Sequence, residues 1–118
     1  MPALEQEGIV LLDDGVRGSI TFKNFRAPGR RHSWKRTWFR GSLVLTQRRF
    51  AAFTSFRQII DVPLVDERID ALHCSLEGEE KLCVAFDPSV FNDAWSGSVE
   101  YRFRTPKARL FIDGVRRA

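Results

Sequence analysis

Three groups of residues in this chain are of types that do chemistry. The first is His73-Cys74, an imidazole beside a thiol. Neighbours on a strand point to opposite faces, so the two cannot share a proton, and the expectation is one core thiol and one surface imidazole. The second is the set Asp61, Asp66, Glu67 and Asp70. Carboxylates this close could hold a metal or work as acid and base, but Asp66-Glu67 reads as a polar corner and the set as solvated side chains. The third is the cations Lys23, Arg26, Arg30, Arg31, Lys35 and Arg36, with His32 among them and Trp34 and Trp38 interleaved. Arginine forks fit phosphate oxygens and lysine adds a point charge, so this group has the chemistry of an anion site. No glycine-rich phosphate loop and no paired-cysteine spacing for zinc occurs. Nothing assembles into an active site. The expectation is a protein that is not an enzyme and uses no metal or cofactor.

The distribution of charge sharpens the third group. The chain has 118 residues and a net charge of +4. Residues 1–14 carry −4, residues 15–60 carry +11 with no acid, residues 61–100 carry −8, and the remainder carries +5. A dipolar chain can present a basic face at modest total charge. The alternative is that the basic and acidic segments lie against each other and neutralise. No apolar run approaches the ~18 residues of a membrane helix. The amino terminus lacks the cationic start and long apolar run of a secretory signal. Two cysteines do not suggest a disulfide framework, so Cys74 and Cys83 are expected unbridged. These readings give a cytoplasmic single domain over 1–118, with residues 1–14 partly extended or flexible.

Several elements must position these groups. Val16 to Asn24 reads as the first full strand, with Lys23 at its close and Phe25 to Ser33 as a loop turning at Pro28-Gly29. From Trp34, a second strand alternates to Thr46, with Phe39, Leu43 and Leu45 on one parity and Trp38, Arg40 and Val44 on the other. By the same parity Lys23 and Arg36 lie on the outer face with Trp34 and Trp38. Gln47-Arg48 reads as a short turn into Phe50–Ser55, and Gln58 to Val65 continues to an edge or strand end at Pro63. Two registers suit the next hairpin. Pairing Leu76 with Leu82, Cys74 with Val84 and Leu72 with Phe86 matches apolar partners and wins, sending Cys74 inward and a more reactive Cys83 outward. A loop over Asp87–Gly97 carries Trp95. Ser98 to Arg104 alternates cleanly, with Val99, Tyr101 and Phe103 facing in. Thr105-Pro106 then starts a helix near residues 106–116, whose apolar face is Ala108, Phe111, Ile112 and Val115. The fold class is mainly β: seven antiparallel strands in a barrel or sandwich capped by a C-terminal helix, with Phe111 as the seal.

Gly41, Leu43, Leu45, Thr46, Arg49, Phe53, Ser55, Ile60, Pro63 and Leu64 fall in a pattern that resembles GRAM and bacterial pleckstrin-homology-like domains. Upstream, Trp34-Lys35-Arg36-Thr37-Trp38-Phe39 is similar to the Trp-Lys-x-Arg-Trp-Phe segment of pleckstrin-homology domains. The match covers roughly residues 20–65. The terminal helix lacks the tryptophan typical of eukaryotic members, and Phe111 is its stand-in. The resemblance implies a phosphate site at the first loop. The family's basic motif is incomplete here, because Trp34 occupies a basic position.

Three function classes remain on these grounds. One is a non-catalytic module docking on an anionic phospholipid or phosphorylated surface through Lys23, Arg26, Arg30, Arg31, Lys35 and Arg36, with Trp34, Trp38 and Trp95 as interface aromatics. Another is a protein-interaction or self-assembly module, a homo-oligomer included. The weakest is a nucleic-acid binder stacking bases on the tryptophans, since by parity Phe39 belongs to the core.

Overall fold

The computed structural model describes Gln6, residues 8–54 and residues 57–116. Its elements are β1 (Ile9–Ala27), β2 (Arg30–Thr46), β3 (Arg49–Thr54), β4 (Gln58–Pro63), β5 (His73–Leu76), β6 (Lys81–Phe86), β7 (Ser96–Arg104) and the helix α1 (Ala108–Arg116). The seven strands are antiparallel and form one curled sheet in the order β4-β3-β2-β1-β7-β6-β5. The fold class expected from patterning is therefore the one observed. Pro63 closes β4, an edge strand, where a missing N–H breaks no ladder.

The first hairpin differs from its sequence reading. β1 begins at Ile9 rather than Val16 and runs through the supposed loop to Ala27, and β2 starts at Arg30. The nine-residue loop Phe25–Ser33 is thus a two-residue turn at Pro28-Gly29. The reason is a bulge. Between Lys23 and Arg26, β1 has one more residue than β7 has between Ser98 and Ser96, and Asn24 takes a left-handed φ of 49°. The extra residue turns the strand, so Phe25 goes into the core although it shares the parity of exposed Lys23. Of the segment 1–14 expected to be partly extended or flexible, residues 9–14 are strand; residues 1–5 and 7 lie outside the described residues, as does Ser55.

Other turns follow the chemistry of their residues. Gln47-Arg48 lacks glycine or asparagine, but Thr46 Oγ1 accepts hydrogen bonds from the N–H groups of Arg48 (3.1 Å) and Arg49 (3.0 Å), which holds the turn. Leu76 pairs with Leu82 and Cys74 with Val84, the register chosen from sequence. The ladder stops at His73 opposite Ala85, because Leu72 caps a 3-10 turn over Glu67–Ala71. Asp66 opens that turn by accepting from Arg68 N–H (2.9 Å).

Both cysteines are free. Cys74 lies in the core with 8% exposure. Cys83 is on the other parity, as expected, yet only 5% exposed. It lies opposite Arg102 in the ladder, so facing outward does not leave it open to solvent, and the expected reactivity difference has no basis in exposure.

The core lies inside the curl, from Val16, Leu43, Phe50 and Val62 across to Val84, Val99 and Phe103. Helix α1 packs on β2, β5 and β6 and contributes Ala108, Phe111, Ile112 and Val115. Its start is fixed from several sides. Thr105 Oγ1 accepts from Lys107 N–H (3.1 Å) and donates to the Asp13 carboxylate, and Lys107 Nζ reaches Leu12 O (2.7 Å). Gly114 faces Leu45 so closely that a Cβ would fall 2.1 Å from a Leu45 methyl carbon. The glycine that weakens the helix locally therefore lets it seat against β2.

Candidate functional site

The β1–β2 hairpin carries most of the cations singled out in the sequence. At its tip Arg26 lies directly opposite Arg31, and Ala27 opposite Arg30. All three arginines are exposed, and among the described residues none has a carboxylate at salt-bridge distance. Arg30 does have a seat. Its guanidinium carbon lies 5.8 Å from the Phe22 ring centroid and 5.7 Å from that of Phe25. Such placement over ring faces adds cation–π attraction and orients the fork.

The bulge at Asn24 recruits the third element. Phe25, turned inward, meets Phe22 at 4.7 Å, stacks on His32 at 6.3 Å and takes the Trp95 ring edge-on at 5.9 Å. The segment between β6 and β7 is thereby held beside the hairpin. It follows a 3-10 turn over Pro88–Val90, opened by Asp87, whose carboxylate accepts from Ser89 N–H (2.9 Å), a bond that holds its pKa below the usual range. Val90, Phe91 and Trp95 are all exposed at this segment.

Between the hairpin and β4 the half-barrel stays open as a cavity of about 300 Å³. Its walls are apolar, Ile20, Ile60, Val99 and Tyr101 among them, with Phe91 and Trp95 also contributing, and exposed Arg30 and Arg57 belong to its lining. Burial pushes the Tyr101 hydroxyl up to about 12. Asp61 also lines the cavity, but it is held by Arg49 at 2.9 Å.

The other sequence-predicted residues are not gathered at the tip. Lys23 is committed to Glu100 at 2.9 Å, which holds the Glu100 carboxyl below its usual range. Arg36 donates from Nε to Thr21 Oγ1 (2.9 Å) and lies 5.3 Å from the Trp34 ring centroid. Lys35 is opposite Phe22 in the ladder, on the other parity from Trp34 and Arg36. Trp34 and Trp38, 58% and 74% exposed, are opposite Lys23 and Ser19 on the outer face. Trp95, 37% exposed, is the tryptophan that joins the tip.

Neutralisation by the acidic segment is limited. Among the described residues, the ion pairs that the eleven cations of residues 15–60 make to residues 61–100 are Lys23 with Glu100 and Arg49 with Asp61. The sequence reading missed Arg57, Val90 and Phe91. An apolar pair amid turn-forming residues was the available signal for the last two. Among the described residues no group of three or more His, Cys, Asp or Glu could hold a metal ion, and no helix is long and apolar enough to cross a membrane. No family model matches the chain, and no curated protein matches it.

Proposed function

We propose that this chain is a non-catalytic binding module of the pleckstrin-homology-like kind, docking peripherally on an anionic phospholipid surface. One observation carries the reading. Arg26, Arg30 and Arg31 at the hairpin tip, without carboxylate partners among the described residues, sit beside exposed Val90, Phe91 and Trp95, joined by the contact of Trp95 on Phe25. A bilayer surface offers both counterparts: anionic head groups for the cations and an interfacial region for amphipathic rings. Each cation near such a surface contributes about 1 kcal/mol, so a tip of three supports reversible attachment rather than anchoring. The resemblance of Trp34–Phe39 and Gly41–Leu64 to pleckstrin-homology and GRAM sequences supports the same reading, as does the succession, among the described residues, of seven strands followed by a C-terminal helix.

Co-sedimentation with phosphatidylcholine vesicles, with and without phosphatidylserine, tests it. Binding should require the anionic lipid, fade as salt approaches about 1 M, and be lost in the double variant Arg30→Glu/Arg31→Glu with the fold intact. A wild-type chain that stays in the supernatant at low salt would sink the reading. If it then scattered light as a stable oligomer, the same end would serve contact between copies.

A further inference from the structure

Four cations cross the outer face of the sheet in a single row. Arg40 of β2 is directly opposite Arg17 of β1, Arg17 is opposite Arg104 of β7, and Arg104 is opposite Lys81 of β6. Residues opposite one another share a face, and neighbouring strands lie about 4.8 Å apart, so the row spans roughly 14 Å. Like charges directly opposite each other destabilise a sheet. All four side chains are exposed, and among the described residues none has a carboxylate at salt-bridge distance. Only the register shows this row, because its members come from four strands.

The adjoining row on the same face runs Trp38, Ser19, Arg102, Cys83. Ser19 and Gly18 are small and buried, which leaves a depression between Trp38 and Arg36 on one side and Arg102 and Lys81 on the other. Its volume is about 610 Å³, and Arg17 and Arg104 also line it. Arg102 donates from Nε to Glu77 (2.9 Å) and from Nη2 to Glu100 (2.6 Å), while its Nη1 is buried without a partner among the described residues. Glu77 is the carboxylate in the lining, already engaged by Arg102.

We propose that this groove binds a polyphosphate group, two or more phosphates on one ligand. A single small anion would leave most of the row uncompensated. Several phosphates offer bidentate partners to successive guanidinium forks at the spacing the strands impose. The groove lies within the size range of small-ligand sites, about 300–1,000 Å³. Exposed Trp38 supplies an amphipathic wall on its open side. The same chemistry is found in a free polyphosphorylated metabolite and in a multiply phosphorylated lipid head group. The site is separate from the hairpin tip and does not rest on membrane docking.

Calorimetric titration of the full chain with inorganic tripolyphosphate at low salt is the test. Wild type should bind saturably, and the ligand should raise the melting temperature. Arg17→Gln/Arg104→Gln should weaken binding by about tenfold or more and melt at or above the wild-type temperature without ligand, since repulsion is removed. Arg30→Gln/Arg31→Gln should bind tripolyphosphate as wild type does, even if it no longer binds vesicles. Displacement of tripolyphosphate by vesicles carrying a doubly phosphorylated lipid would support the site with a lipid source. Displacement by the soluble inositol hexakisphosphate alone would support it with a free one. The proposal is overturned if wild type shows no saturable binding, if the tip variant loses as much as the row variant, or if single-stranded DNA binds through Arg17 and Arg104 while tripolyphosphate does not.

Discussion

The Trp95 ring meets Phe25 edge-on, with centroids 5.9 Å apart, and so ties the segment before β7 to the tip of the β1–β2 hairpin. Phe25 can receive it because the bulge at Asn24 turned that ring inward. An exposed aromatic ring is therefore held beside Arg30, whose guanidinium lies over the same Phe25.

Single-tryptophan variants exploit this arrangement. With Trp34 and Trp38 replaced by phenylalanine, Trp95 fluorescence should shift to the blue on adding anionic vesicles. With Trp95 and Trp34 replaced instead, Trp38 on the outer face should respond much less. Trp95→Ala should weaken vesicle binding and lower stability by about 1 kcal/mol, the scale of one aromatic pair. An unchanged Trp95 spectrum alongside a shifted Trp38 spectrum would place the contact face on the other side of the sheet.

Gly97 faces the bulge from β7. Its φ is 104°, and a Cβ there would lie 2.4 Å from the Asn24 carbonyl oxygen. Alanine meets both a strained backbone and an unyielding neighbour, so Gly97→Ala should cost about 1–3 kcal/mol or more in chemical denaturation. Asn24→Gly, at a φ of 49°, should be tolerated. A neutral Gly97→Ala would mean that the bulge relaxes without loss and does not set the position of Phe25.

What was legible in the chain depended on range. The strand faces of Ser98–Arg104, the Leu76–Leu82 register and the helix face through Phe111 all follow from local period and apolar matching, and each stands in the structure. The extent of the first hairpin did not, because a single left-handed asparagine inverts the inward face at Phe25 and makes a strand look like a loop. Burial of Cys83 was hidden for a related reason: parity names a face, but whether that face is open depends on Arg102, a residue of another strand. In the sequence the candidate anion site is one run of cations from Lys23 to Arg36. In the fold that run divides between the tip, an ion pair to Glu100 and the outer face, since alternate residues of a strand part company.

The seal formed by α1 can be weighed directly. Phe111 is fully buried and packs with Phe50, their centroids 6.3 Å apart. Phe111→Ala should cost about 3–5 kcal/mol, the range for deleting a buried aromatic ring. Leu110, on the exposed side of the same helix, serves as the control, and Leu110→Ala should stay within about 0.5 kcal/mol. A loss below about 1 kcal/mol for Phe111→Ala would make the helix peripheral to the core.

Acid stability should be governed in part by Glu100. It accepts from Lys23 and from Arg102, and the hydrogen bond from Lys23 is the foremost cause of its lowered pKa. Glu77 is lowered as well, chiefly by the hydrogen bond from Arg102. A carboxylate whose folded pKa lies below its unfolded value stabilises the fold fully above the unfolded value, about 4.3 for glutamate. As the pH falls through that value and then through the lower folded one, the native state must take up a proton it resists, and the contribution disappears. Melting temperatures measured at high salt and low salt should therefore fall below about pH 4.3, less steeply at high salt for the exposed partner Lys23. Glu100→Gln should flatten this part of the profile while lowering stability at neutral pH, because Lys23 loses its charged partner and Arg102 loses one of its two carboxylate partners among the described residues. If the wild-type and Glu100→Gln profiles run parallel from neutral pH down through that window, the two ion pairs on the outer face contribute nothing to folding, and Lys23 is free to join the hairpin cations in binding.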